Sequence, residues 1–113
     1  MVVGLLSDLF FAARIRETAK QLGVPCVIVR DPAELAGRVA DARLVIVDMN
    51  LRGADAAAAV RALKADPATR GVRVVGYLFD AHEDLIRAAR AAGCDQVLSR
   101  GGLTRKLPEL IAG

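Results

Sequence analysis

A chain of 113 residues, 54% hydrophobic and with a formal charge of +3, is long enough for one domain with its own core and needs no disulfide or metal staple. Aromatic residues make up only 4% and tryptophan is absent, which argues against a surface that stacks bases or sugars. The 16 basic residues are scattered from Arg14 to Lys106 without a run, so they read as solvated surface and not as a nucleic-acid-binding face.

Cys26 and Cys94 lie beside apolar runs with no C-x-x-C or His companion. They read as two buried thiols of a reducing cytosol. The opening MVVGLLSD has no basic n-region and no long apolar segment follows. The expectation is a cytoplasmic protein that is neither secreted nor membrane-bound.

Val2–Leu6 is a short apolar run. Leu9–Leu22 then has helical spacing, with Phe11, Ile15, Ala19 and Leu22 facing inward and Gly23 closing the helix. Cys26–Val29 is a second run, and Asp31-Pro32 supplies an N-cap and N1 proline for a helix to about Val39. Leu44–Val47 is the third strand. It has no polar alternation, so both its faces are covered, as in a parallel sheet. A helix over about Ala54–Ala65 stops before Pro67. Val72–Leu78 is the fourth strand, and His82–Ala92 is a helix with Leu85, Ala88, Ala89 and Ala92 inward and Gly93 ending it. Val97–Leu98 is a short fifth strand. Leu103–Ile111 is the last helix, where Pro108 forces either a kink or a stub starting near Leu107. Five strand–helix units in this length predict a single α/β domain over residues 1–113, a doubly wound parallel five-stranded sheet with helices on both faces. An eight-fold barrel is excluded by length.

The third strand ends abruptly at a carboxylate, Asp48. Ligands of open α/β sheets collect at that carboxyl edge, and a half-desolvated acid there needs a cation, a proton or donors nearby. Parallel strands bring further groups to the same edge: Ser7 and Asp8, then Met49 and Asn50, then Leu78, Phe79 and Asp80, then Ser99 and Arg100. Two carboxylates and a guanidinium suit a hard divalent cation and a phosphoryl-sized anion. The two acids also read as caps for the helices that follow them, with Arg100 neutralising the pair. Capping alone does not require groups from different strand ends to converge. His82, the only histidine, reads as an exposed first-turn residue. Of Tyr77 and Phe79, one is expected to pack in the core, and an exposed aromatic on a docking face is the lesser reading. Gly-rich phosphate loops, H-E-x-x-H, G-x-S-x-G and zinc spacings are absent, and no base stands beside a nucleophile, so an enzyme is not expected.

Three segments, VVGLLSD (Val2–Asp8), LVIVDMNLRGAD (Leu44–Asp55) and AAGCDQVLSR (Ala91–Arg100), in this order and at these separations, resemble the response-regulator receiver domain of two-component signalling. The resemblance covers essentially the whole chain and implies the (βα)5 flavodoxin-like fold. It implies that Asp48 is the phosphoacceptor, and that Asp8, Asp48 and the backbone carbonyl of Asn50 hold Mg2+, weakly because Ser7 replaces one acid. It also implies a bacterial phosphorelay protein. The partner would be a histidine kinase or downstream signalling protein, or a second copy paired through the fourth helix–fifth strand–fifth helix face.

The departures from the family pattern cluster where receivers switch. Leu78 stands in place of a Thr or Ser hydroxyl and Val97 in place of an aromatic ring, while Arg100 replaces a Lys and Gly101 the Pro after it. Arg52 replaces the Pro of the loop after Asp48. A leucine donates no hydrogen bond, valine has no ring to swing, and a guanidinium is not an ammonium. The expectation is an atypical receiver that works by docking, with weak or no phosphorylation-coupled switching. The alternative is a conventional regulator phosphorylated on Asp48 by a histidine kinase. Arg100 is expected to bridge Asp8 and Asp48 without metal.

Overall fold

The computed structural model describes residues 1–79 and 82–113; Asp80, expected at the end of the fourth strand, lies outside the described residues. Ten elements alternate along the chain: β1 (Val2–Leu5), α1 (Leu9–Gln21), β2 (Cys26–Val29), α2 (Pro32–Leu35), β3 (Leu44–Asp48), α3 (Ala56–Ala65), β4 (Arg73–Leu78), α4 (Glu83–Ala92), β5 (Gln96–Ser99) and α5 (Arg100–Ala112). The five strands form one parallel sheet in the order β2-β1-β3-β4-β5. This is the expected doubly wound (βα)5 architecture.

The apolar runs explain the sheet. Every residue of β1 and β3 is buried, because each is a central strand with helices above and below. On one face α1 and α5 cover the sheet, with Phe11, Ile15, Leu103 and Leu107 packed on Val2, Ile46 and Tyr77. On the other face α2, α3 and α4 pack Leu35, Val60, Leu63 and Ala89 on Val3, Val45 and Val74. Strand order reverses between β1 and β3, so their carboxyl ends flank the crevice where this fold places ligands.

Several boundaries and faces differ from the sequence-based expectation. The second helix is one turn, Pro32–Leu35, and does not reach Val39; Gly37 costs about 1 kcal/mol in a helix interior, and a turn closed by Arg38 N on Leu35 O follows instead. The last helix begins three residues earlier than expected, at Arg100, because Ser99 caps it by accepting from Gly102 N at 3.0 Å. It runs through Pro108. Leu22 is the C-cap of α1 and is exposed, and Ala88 of α4 is exposed too. The inner faces of these helices are completed by Ala12 and by Ile86 instead. Cys26 and Cys94 are only half-buried, although burial is the main reason that both thiols titrate high, Cys94 at about 11. No helix among the described residues is long and apolar enough to cross a membrane.

Candidate functional site at the carboxyl edge

Asp48 is the last residue of β3, in register with Tyr77 of β4. Its neighbours on both sides are strands, so the residue as a whole is only 4% exposed. One oxygen, Oδ1, accepts from the backbone N–H of Asn50 at 2.8 Å. Burial pushes its pKa above the ordinary carboxylate value; the Asn50 N–H acts against that, the nearby Asp8 charge adds to it, and Arg100 opposes it. Asp48 does not cap α3, a role taken by Asp55 through Ala58 N at 3.0 Å.

Asp8 arrives from the other side of the crevice, and it is a cap. Its Oδ1 accepts from Phe10 N at 2.9 Å and Phe11 N at 3.2 Å, closing the first turn of α1. Its Oδ2 accepts from Arg100 Nη2 at 2.8 Å. The capping and the convergent readings of Asp8 therefore both hold, one for each oxygen. Arg100 does not bridge the two acids as expected. Its hydrogen bond goes to Asp8, and it acts on Asp48 only through space.

The Arg100 guanidinium is fixed by more than its ion pair. Its central carbon lies 4.3 Å from the ring centre of Phe79 and 5.0 Å from that of Phe11, within the range of cation–π attraction. Phe11 reaches the site because it lies on the inner face of α1, three residues after Asp8. Phe79 follows β4 directly, and its backbone N–H donates to the Asn50 side-chain Oδ1 at 2.8 Å. Asn50 thus anchors both strand ends: its N–H holds Asp48 and its side chain holds Phe79. Only its backbone carbonyl was expected to matter.

Tyr77 packs in the core, as expected of one of the two aromatics, and Phe79 is 51% exposed, the lesser of the two readings. The Tyr77 ring packs 5.0 Å from Phe11 and 6.5 Å from Phe79. Its hydroxyl is buried with no hydrogen-bond partner among the described residues. Burial first, then the Asp48 and Asp8 charges, raise its pKa. Beneath Met49, Gly76 is required by close approach: a Cβ there would stand 3.0 Å from both the Cys94 sulfur and Met49 Cγ.

A cleft of about 420 Å³ opens above these groups, lined by Ser7, Asp8, Asp48, Asn50, Arg52 and Phe79. Ser7 is exposed at its rim. Leu78 is instead 2% exposed, packed in the core on the α2–α3–α4 side, and Val97 packs against the same cluster. His82 is exposed and stands at the N-cap of α4.

A hard divalent cation takes about six oxygen donors. Both Asp8 oxygens are engaged, one by the α1 cap and one by Arg100, while Asp48 offers a single open oxygen. Among the described residues no group of three or more His, Cys, Asp and Glu side chains is placed to hold a metal. As arranged, these residues do not fit a divalent ion.

No protein-family model and no curated protein matches the chain. Solved structures do match. The signal receiver domain of a DNA-binding response regulator protein (merR) from Colwellia psychrerythraea 34H superposes with a TM-score of 0.82 at 18% identity, over 99% of this chain and 98% of that one. The phosphorylated cyanobacterial phytochrome response regulator RcpA gives 0.81 at 20% identity, over 99% and 88%. The fold is that of a response-regulator receiver domain. A third receiver-fold match, the Mn2+-bound form of the response regulator Rcp1, gives 0.76 at 15% identity over 99% and 88%.

Proposed function

We propose that this chain is a two-component-type receiver module that acts by protein–protein docking, with little or no coupling to phosphorylation. The observation that carries the reading is Leu78. It occupies the strand-end position at which a receiver uses a hydroxyl, and its side chain is sunk in the core. A phosphoryl group on Asp48 would find no donor there to draw the loop inward, and Val97 offers no ring to follow it. A ligand shifts a two-state equilibrium only by its differential affinity for the two states.

Asp48 remains the candidate phosphoacceptor, because its second oxygen has no partner among the described residues and the residue lines the open cleft. That open oxygen favours the second reading, a conventional regulator phosphorylated by a histidine kinase. Mg2+ bound through Asp8, Asp48 and the Asn50 carbonyl would be weak, since Arg100 already holds Asp8. The module is non-enzymatic and cytoplasmic, and its partner is a signalling protein, not a nucleic acid or a membrane. The α4–β5–α5 face is the docking candidate. A groove of about 200 Å³ lined by Leu78, Ile86, Arg90, Val97, Leu98 and Ser99 lies there, beside the valine that replaces a ring.

The test is to treat the protein with a small acyl phosphate and Mg2+, weigh it intact, and sediment treated and untreated samples. The docking reading expects identical sedimentation whether or not a phosphoryl group is added. A change in association that follows the mass gain and vanishes in Asp48→Asn would establish the conventional regulator instead.

A further inference from the structure

We propose that Arg100 is a built-in cation of this site, clamped by Phe11 and Phe79, and that its guanidinium and a divalent metal exclude one another at Asp8. The inference deepens the receiver reading of the same site and rests on that reading for the identity of the competing ion. Three observations carry it. The Arg100–Asp8 hydrogen bond of 2.8 Å engages the one oxygen of Asp8 that the α1 cap leaves over. Two aromatic rings lie within 4.3 and 5.0 Å of the guanidinium carbon, so its position is set from three sides. Phe79 is itself pinned at its backbone by Asn50, so the clamp is tied to the loop that follows Asp48.

A charged side chain held this way costs little further entropy on pairing, because its planar fork is already oriented. A metal arriving from solvent has to displace it. A metal held by Asp8 would draw on its Oδ2, and two cations sharing one carboxylate oxygen in a half-buried crevice would repel each other. While Arg100 holds Asp8 the crevice therefore already carries its cation and does not fit a divalent one. In this scheme Phe11 and Phe79 are positioning residues that act through Arg100.

Mn2+ titration followed by the loss of its free-ion electron paramagnetic resonance signal measures the competition directly. Arg100→Met, which keeps an apolar stem against the rings and removes the charge, is expected to bind Mn2+ at least tenfold more tightly than wild type. Phe79→Ala, which leaves the charge and removes one wall, is expected to gain about threefold. In wild-type protein, Mg2+ at a concentration that saturates Arg100→Met is expected to leave the Arg100 side-chain Nε–Hε resonance in place. Equal Mn2+ affinity in wild type and Arg100→Met overturns the proposal, and so does a wild-type Arg100 resonance that shifts at that Mg2+ concentration. If Arg100→Met does not fold, Phe79→Ala decides: unchanged affinity there overturns the clamp. These readouts are indifferent to whether the chain docks a partner, so failure of the docking reading, seen by sedimentation, is distinguishable from failure of this one.

Discussion

Two ion pairs of nearly the same length sit at opposite edges of the sheet, Lys64–Asp95 at 2.9 Å and Arg100–Asp8 at 2.8 Å. At the amino edge, Lys64 Nζ donates to Asp95 and to the carbonyls of Val72 and Arg70, and the same Asp95 oxygen accepts from Val74 N at 2.7 Å. Its aliphatic stem covers Gly93, where an added Cβ would stand 2.8 Å from Lys64 Cγ. All three ammonium donors are used. At the carboxyl edge, the pair closes beside a second, buried carboxylate with an open oxygen, under two aromatic rings and next to a solvent cleft. Geometry alone does not separate a staple from a site. What separates them is the group left unsatisfied next door.

The titration of the neighbouring acids follows the same division. Burial raises Asp95, but the Val74 N–H and Lys64 outweigh it and hold its carboxyl below the ordinary range. Its contribution is therefore present above the ordinary carboxylate pKa and lost as pH falls through its lower folded value. For Asp48 the net shift is upward and the sign reverses.

The comparison breaks most visibly on truncation of the two cations. Lys64→Ala should cost about 2 kcal/mol, since it strips three acceptors and leaves Asp95 half paired. Arg100→Ala should cost roughly 1 to 2 kcal/mol, as the Asp8 side chain is 21% exposed and water partly replaces the lost donor. Thermal melting measures both. A larger loss for Arg100→Ala than for Lys64→Ala would make the carboxyl-edge pair the main staple.

A second contrast concerns sign. Removing a charge from the amino edge should destabilise, whereas Asp48→Asn should raise the melting temperature by a few degrees near neutral pH. The folded state binds the Asp48 proton more readily than the unfolded chain does. The penalty for its charged form is thus present above the folded pKa and disappears as pH falls to the ordinary carboxylate value, about 4. Melts of wild type and Asp48→Asn should converge there. A gain that persists unchanged at about pH 4 would show that the amide makes a new contact and does not merely relieve a buried charge.

How much of this could be read from the residues follows the range of the forces involved. The five strands and the convergence of Asp8, Asp48 and Arg100 were legible because burial periodicity and strand-end chemistry are local and topology does the rest. The early start of α5 was not, since it depends on Ser99 reaching Gly102 N, a cap hidden behind two glycines. Nor was the aromatic clamp, which joins residues from α1, the end of β4 and the start of α5. One signal for it was in view, a phenylalanine directly after the strand-end Leu78, at a rim where an apolar ring needs a reason to stand half exposed. The Asn50 side chain was overlooked because its role is to hold backbone and not to meet a ligand.

The smallest effect expected is the response to a phosphoryl mimic. Beryllofluoride added with Mg2+ presents three electronegative atoms at Asp48, and a receiver transmits that through a hydroxyl at the position of Leu78 and a ring at that of Val97. Here both positions are apolar and packed against the same core cluster, so neither side chain can make a polar contact with the added group. Amide resonance shifts should therefore stay within the residues around Asp48, Asn50, Phe79 and Arg100. The one route outward is Asn50, whose side chain links the Asp48 loop to Phe79, so the shift at Phe79 should exceed those in α4 and α5. Restoring the hydroxyl with Leu78→Thr should extend the shifts into β5. Shifts running through α4 and α5 of the wild-type protein would mean that the ring and hydroxyl are dispensable, and that Asn50 alone carries the coupling between the two edges of the cleft.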